Sequence, residues 1–391
     1  MSIKDGYSRG VAAALKEKAT RAVMLVILGS TLAGCAAAPG MRMRPAPTIA
    51  ASPAGPNEPE QQLPVPLTSI DLALIAKLRQ TNSNSNSNGE LAPLEEAAGS
   101  YRIGIGDVLQ ITVWDHPEIA AALGAQPTST TRSADAPSGF VVDDKGDLVF
   151  PFAGKIHVAG SRLDEVQAVL ARSFEKSFRD PQVTVRIASF RSQRVYIEGE
   201  VHAPGTQVIN DIPMNLTDAI SRAGGFATSA DQGHVELQRN SVHYIIDMSV
   251  TRVATSDLAK IVLRNGDVLR IPPRDEFGVF VMGEVNKPVT AVPKTTGALT
   301  LSEALSQAGS LSSTSADAGQ VYVIRGSLDG KPEVFHLDAS SPVAMVLANE
   351  FPLKSKDIVY VDGNGLVRFS RVLSLLLPAL NAGLTAAIVT K

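Results

Sequence analysis

An α+β body built from several small domains is expected of this chain. Apolar residues alternate with polar ones over short runs such as Leu109, Ile111 and Val113, the period of a half-buried strand, and helical apolar spacing appears only in brief stretches between such runs. Aromatic residues are 5% of the 391 positions while 31 glycines and 24 prolines supply turns, which favours many short elements over one large bundle. Part of the chain also repeats itself at an offset of 84 residues. With 44% hydrophobic and 19% charged residues there is enough apolar material for two or three packed domains.

The N-terminus reads as a secretion signal: Lys16, Lys18 and Arg21 precede an apolar run from Ala22 to Leu28, too short to span a bilayer, and small residues follow up to Cys35. Leu32-Ala33-Gly34-Cys35 matches the lipobox of bacterial lipoproteins, so Cys35 is the expected first residue after cleavage and the site of lipid attachment. A free thiol after an ordinary signal peptide is the competing reading. Ala36, where an Asp would retain the protein at the inner membrane, points to the outer membrane of a Gram-negative cell. Eight prolines lie between Ala36 and Pro66, and no aromatic residue occurs from Cys35 to Gly99. The tract Thr81 to Gly89 is nearly all Asn and Ser, with nothing apolar to offset ordering entropy, and is expected to act as a flexible linker. Between them Leu72, Ile75 and Leu78 have the spacing of a short docked helix.

The body opens at Tyr101-Arg102-Ile103-Gly104 and runs into the strand ending at Trp114. Val141-Val142 and Leu148 to Phe150 flank a turn at Asp143 to Asp147 and predict a hairpin. Ser161-Arg162-Leu163-Asp164 has a capping-box pattern before a helix whose apolar face is Leu163, Val166, Leu170 and Phe174. Pro181 ends that run, and Val183, Val185 and Ile187 alternate in a further strand.

The repeat follows. Val195-Tyr196-Ile197-Glu198-Gly199-Glu200-Val201 matches Val279-Phe280-Val281-Met282-Gly283-Glu284-Val285, and Leu216 to Gly224 matches Leu301 to Gly309 after one inserted residue. The copies close alike, in Gly266-Asp267-Val268-Leu269 and Lys356-Asp357-Ile358-Val359. Each reads as strand, Gly-Glu turn, strand, short helix closed by Gly, then strands. Two long copies are two similar domains, too few for a solenoid.

From Val367 to Thr390 the chain is almost continuously apolar, about 35 Å as a helix. Arg368, Arg371, Ser374, Pro378, Asn381 and Thr385 share one stripe, while Phe369, Val372, Leu373, Leu376, Leu377, Leu380 and Leu384 fill the remainder. A lone spanning helix would press that stripe on lipid, at about 2.5–3.5 kcal/mol for a central Arg. A ring of copies facing water removes that cost. An amphipathic surface helix, a helix docked on its own protein and a single-pass anchor fit the same pattern, although surface helices usually carry Lys or Arg along the polar face and this seam is uncharged in its middle.

Other chemistries fit poorly. Beyond residue 34 the chain carries 31 basic against 37 acidic groups, so no basic face for nucleic acid is expected. One cysteine excludes internal disulfides, and His116, His157, His202, His234, His243 and His336 lack metal-ligand spacing. Gly104-Ile105-Gly106 lacks the third glycine of a dinucleotide loop, and Asp143-Asp144 reads as a solvated turn rather than a glycosidase pair. Glu200 and Glu284 could meet sugar hydroxyls or neighbouring subunits, but a strand-end turn role in each copy is the simpler reading.

Together these residues resemble the outer-membrane polysaccharide export proteins of the Wza type. Tyr101 to Gly104 with Trp114-Asp115-His116-Pro117-Glu118 looks like the opening of their export domain, Phe190-Arg191-Ser192-Gln193 like its exit, the Gly-Glu-Val repeats like soluble-ligand-binding β-grasp (SLBB) domains, and Arg371 to Leu376 like their terminal helix. The resemblance implies a signal peptide (1–34), a lipidated Pro-rich and Asn/Ser-rich tether (35–100), a polysaccharide export domain (101–192), two SLBB domains (193–275 and 276–366) and an amphipathic transmembrane helix (367–391). It further implies an octamer with an α-helical barrel through the outer membrane, exporting capsular or extracellular polysaccharide, with an inner-membrane polysaccharide copolymerase, often a tyrosine kinase, as partner. Such a conduit is no enzyme and needs no cofactor beyond its lipid. Ser374, Asn381 and Thr385 would then line the pore, with Arg368 and Arg371 near the periplasmic mouth. A periplasmic saccharide-binding or scaffolding lipoprotein without a pore is the alternative. The Asn/Ser tract and a tail without tryptophan depart from the Wza pattern; Phe369 is the tail's one aromatic, and Lys391 is the remaining marker of its outer boundary.

Overall fold

The computed structural model describes residues 41–43, 47–50, 62–85, 94, 99–114, 139–249, 260–326, 332–371 and 374. Cys35, His116, Asn381 and Thr385 lie outside these residues. Two compact units divide the chain, one formed by Met1–Asn82, Phe277–Val292 and Leu299–Lys391, the other by Ser83–Glu276 and Pro293–Ala298.

In chain order, the first described elements are strands β1 (Thr48–Ala50), β2 (Gln62–Pro64) and β3 (Leu67–Ser69) and helix α1 (Leu72–Ser85). The next group comprises β4 (Val108–Val113), β5 (Phe140–Val141), β6 (Asp147–Phe150), β7 (Gly154–His157), α2 (Leu163–Phe174) and β8 (Val183–Ser189). Its sheet runs β5-β4-β8 beside the hairpin β6-β7. Leu109, Ile111 and Val113 of β4 meet Val166, Leu170 and Phe174 of α2 in one core, as alternation on the strand and 3.6-residue spacing on the helix require.

The structure differs from the sequence pattern at two places, the hairpin and the start of α2. β5 pairs with β4, and β6 pairs with β7 across residues 151–153. The Asp143–Asp147 turn does form, with Asp143 N donating to Asp147 O at 2.8 Å, but it joins strands of different sheets. The hairpin lies one loop later because Phe152 and Gly154 adopt positive φ there (64° and 73°). Helix α2 begins one residue late: Arg162 is the N-cap, and its N–H donates to Glu165 Oε2 at 2.8 Å.

Each repeat folds alike. The first comprises β9 (Arg194–Gly199), β10 (Gly205–Val208), α3 (Leu216–Arg222), β11 (Val235–Arg239), β12 (Val242–Ile246) and β13 (Val268–Ile271), in the order β10-β9-β13-β11-β12. The second comprises β14 (Val279–Gly283), β15 (Val289–Ala291), α4 (Leu301–Gln307), β16 (Ala316–Arg325), β17 (Glu333–Leu337), α5 (Met345–Glu350) and β18 (Ile358–Gly363). Its order, β15-β14-β18-β16-β17, is the same, and β3 is added at the far edge, parallel to β17. The Gly-Glu turns have a steric cause. Gly199 (φ 87°) and Gly283 (φ 92°) end strands packed so tightly that an added Cβ would lie 2.0 Å from Ile271 O and 2.1 Å from Val361 O, respectively.

A buried ion pair also recurs. Arg239 Nη2 lies 2.6 Å from Asp267 Oδ2 and Arg325 Nη2 lies 2.7 Å from Asp357 Oδ2. The same guanidiniums donate to Val262 O (2.7 Å) and Pro352 O (3.0 Å), while Arg264 N and Lys354 N donate to the carboxylates. With both charges hydrogen-bonded on several sides, removing either partner is expected to cost about 3–5 kcal/mol.

The supposed tether contributes to both repeats. β3 extends the second sheet, and Ile70 and Ile75 are in its core. Leu94 is buried in the core of the first repeat. Helix α1 carries on to Ser85, inside the Asn/Ser tract read as linker. The docked apolar side of Leu74, Ile75 and Leu78 supplies what the polar tract lacks, and Asp71 caps the helix by accepting from Leu74 N at 2.8 Å. Among the described residues no helix is long and apolar enough to cross a membrane, and most of the expected terminal span lies outside them.

Candidate functional site

The strand β18 runs through the second sheet and delivers the chain directly into a helix described over residues 365–371. Asn364 is its cap: its Oδ1 accepts from Val367 N at 2.9 Å, and its Nδ2 donates to Thr314 O at 3.0 Å. Asn364 N donates to Ser315 O at 2.8 Å, so the helix start is tied to the loop after α4 by both backbone and side chain.

Arg368 and Arg371, expected on the water-facing seam, are engaged within their own repeat. Arg368 Nη2 donates to Gly363 O at 2.5 Å and stands 3.4 Å from Asp362 Oδ2, whose side chain is 7% exposed. Arg371 donates to Glu284, the second-repeat member of the glutamate pair singled out in the sequence. Ser374, next on the stripe, is exposed and donates to Arg371 O at 2.8 Å.

Comparing the repeats isolates what is particular to Glu284. In each copy the glutamate backbone accepts an N–H from the loop after the helix, Ala227 N to Glu200 O and Ser312 N to Glu284 O, both at 3.0 Å. In the first copy the carboxylate also accepts the Ser229 hydroxyl, whereas the hydroxyl of Ser315, close to Glu284, donates to Ser312 Oγ at 2.7 Å. That much is the strand-end turn role. Only the second glutamate additionally receives an arginine of the terminal helix among the described residues.

Burial alone would raise the Glu284 carboxyl, yet the Ser315 hydroxyl and the Arg371 guanidinium hold it below its ordinary value near 4.5. A depressed carboxyl contributes its full stabilisation above that ordinary value and loses it as pH falls through the lower folded value. The helix root is therefore expected to be secure at neutral pH and to loosen only in acid. Glu284→Gln should loosen it at neutral pH, speeding trypsin cleavage after Arg371 about fivefold for an interaction of about 1 kcal/mol. An unchanged cleavage rate would show that the pair contributes nothing.

Sequence reasoning missed the partner of the helix root. Tyr360, in β18, donates its hydroxyl to Met41 O at 2.5 Å, and Val65 packs beside it with Tyr322 and Val334. Burial, with Asp362 and Glu284 nearby, pushes the Tyr360 hydroxyl up to about 12, so it remains a donor at physiological pH. The chain near Met41 is thereby fastened to the strand from which the terminal helix leaves. A tyrosine within a continuously buried strand carries no local sign of such a contact. Among the described residues no group of His, Cys, Asp and Glu could hold a metal ion.

These domains have known counterparts. The model of polysaccharide biosynthesis/export proteins matches residues 95–188, and the SLBB domain model matches residues 193–271 and 278–361, which defines the class as an export domain followed by paired SLBB domains. Over 381 residues the chain is 43% identical to the EPS I polysaccharide export outer membrane protein EpsA of Ralstonia nicotianae, covering 95% of this chain and 98% of the relative. It is 25% identical over 401 residues to the capsule polysaccharide export outer membrane protein CtrA of Neisseria meningitidis serogroup B, covering 93% and 96%. With the capsule polysaccharide export protein BexD of Haemophilus influenzae it shares 26% over 302 residues, covering 70% and 74%. The chain belongs to the outer-membrane polysaccharide export protein family, and the outer membrane is its location.

Proposed function

We propose that this protein is the subunit of an oligomeric channel that passes capsular or extracellular polysaccharide across the outer membrane. The observation that supports this reading is the bond between Met41 and the strand from which the terminal helix leaves, because it brings together the two segments expected to reach the membrane. Cys35 lies six residues before Met41, a reach of at most about 20 Å, and Met41 is bonded to the strand that launches the terminal helix. A lipid on Cys35 and the amphipathic segment would thus enter one membrane from one end of the second repeat.

Eight copies suit the cargo. With helices about 10 Å across, four would enclose a hole of about 4 Å and eight would leave about 16 Å, and only the larger ring passes a hydrated sugar chain. Ser374, Asn381 and Thr385 line it and exchange weak hydrogen bonds with sugar and water. Arg368 and Arg371, partly neutralised at the helix root, set its angle of departure at the periplasmic mouth. No bond is made or broken and no cofactor is used beyond the lipid. The driving force comes from an inner-membrane polysaccharide copolymerase.

Detergent-extracted protein should give ring-shaped particles in electron micrographs and a mass of about eight chains by light scattering. A monomer at micromolar concentration would favour the saccharide-binding lipoprotein without a pore. Cys35→Ser should block lipidation and lower the amount of exported polysaccharide at least severalfold, since a single helix then anchors each subunit; unchanged export would make the lipid dispensable.

A further inference from the structure

Trp114 is the chain's one tryptophan, and it stands 58% exposed at the end of β4. Its position is fixed: the indole Nε1 donates to Thr184 Oγ1 at 3.0 Å and the backbone N–H to Gln182 O at 2.9 Å. The indole borders an open cavity of about 520 Å³ whose walls include Gln167 and Asp164 of α2 and Gln182 of the segment leading into β8. Gln167, Gln182 and Asp164 are all exposed. Asp164 Oδ1 stands 3.6 Å from Arg162 Nε.

We propose that this groove is a saccharide subsite on the export domain, in which a sugar ring lays its C–H face on the indole and its hydroxyls exchange hydrogen bonds with Gln167, Gln182 and Asp164. The ligand class rests on the export reading above. The chemistry favours a sugar over the other small-ligand classes. A wholly apolar ligand would desolvate a carboxylate and two amides without pairing them, and a polyanion would meet Asp164 in the wall. An indole held in place by its own N–H gives contact area with little ordering cost, and shallow walls give the weak, repeatable binding that a moving polymer requires.

The single indole makes the test specific, because fluorescence of the full, detergent-extracted chain reports on this groove alone. The probe is a set of oligosaccharides from partial hydrolysis of the producing strain's own extracellular polysaccharide, with malto-oligosaccharides as control. The expected result is a saturable emission change and protection from acrylamide quenching with the native oligosaccharides only. Gln167→Ala and Gln182→Ala, which keep the indole, should each raise the half-saturating concentration about three- to fivefold. By saturation-transfer NMR, Trp114→Phe should retain binding and Trp114→Ala should lose it. Emission that is already blue-shifted and shielded from acrylamide without sugar would place a neighbouring copy over the indole and overturn the proposal. A response equal to the control, or unmoved by the amide variants, would overturn it too. Ring particles persisting in either case would leave the channel reading intact, whereas a specific sugar response from a monomer would support the groove and remove the channel.

Discussion

A chain ending at Ser374 is expected to fold normally and export no polysaccharide. The truncation keeps Asn364, Arg368 and Arg371 with their partners, so the second repeat retains the cap and ion pairs that secure the helix root. It removes Asn381, Thr385 and the apolar residues from Leu375 onward, which are the material of the proposed barrel. Surface polysaccharide, measured by immunoblot, should fall to background while the polymer accumulates inside the cell. Thermal unfolding of the body should shift by no more than about 2 °C, because no described core residue is lost. Normal export from the truncated chain would remove the terminal segment from the mechanism.

The second large effect is expected in the export domain, at Asp107. This carboxylate is fully buried. Its Oδ1 accepts from Arg191 N (2.8 Å) and Ser192 N (2.9 Å), and its Oδ2 from Gly104 N (2.9 Å), Tyr101 Oη (2.8 Å) and Ser192 Oγ (2.9 Å). One side chain therefore fastens the opening of the domain to its exit, and three backbone N–H groups depend on it, while the Tyr101 and Ser192 hydroxyls also lie 3.0 Å from each other. Burial, opposed by the Ser192 bond and reinforced by Asp107, pushes the Tyr101 hydroxyl well above its ordinary value, so it stays protonated as a donor. Asp107→Ala leaves three backbone N–H groups without their acceptor and is expected to cost about 3–5 kcal/mol. Asp107→Asn keeps one acceptor oxygen; the Tyr101 and Ser192 hydroxyls can turn to accept, but one fixed N–H then faces an amide, and a cost of about 1–3 kcal/mol is expected. Hydrogen exchange at residues 101–106 and 190–193 reads this directly, with protection falling most in the alanine variant. Equal protection in all three proteins would mean the two ends of the domain are held by something else.

How much of this was legible depended on whether the cause was local. Alternation marked β4 and β8, helical spacing marked the face of α2, and the repeat announced two domains whose sheet orders coincide. The Gly-Glu turns could be located from the repeat, but the carbonyls of Ile271 and Val361 that forbid a side chain come from strands some 70 residues further on. Long-range partners stayed hidden for the same reason: Arg239 and Arg325 resemble ordinary strand-end cations until the buried Asp267 and Asp357 lie beside them. Composition misled once. The polar tract after Leu78 has little tendency to order alone, yet its first residues prolong a helix that is already docked. For Arg368 and Arg371 the stripe was legible, whereas the acids that receive them were not. Asn364, just ahead of the apolar run, was a signal that could have marked where the helix begins.

In the proposed channel the terminal segment hides its polar seam by facing a shared column of water. Cysteine labelling tests it most directly, since a Cys35 carrying lipid on its thiol leaves no other thiol in the chain. In intact cells, Asn381→Cys should react with a membrane-impermeant maleimide and react more slowly while polymer is passing, whereas Leu380→Cys and Leu384→Cys should stay unlabelled. Labelling at Leu380 and Leu384 equal to that at Asn381, or no labelling at any of the three, would contradict the account.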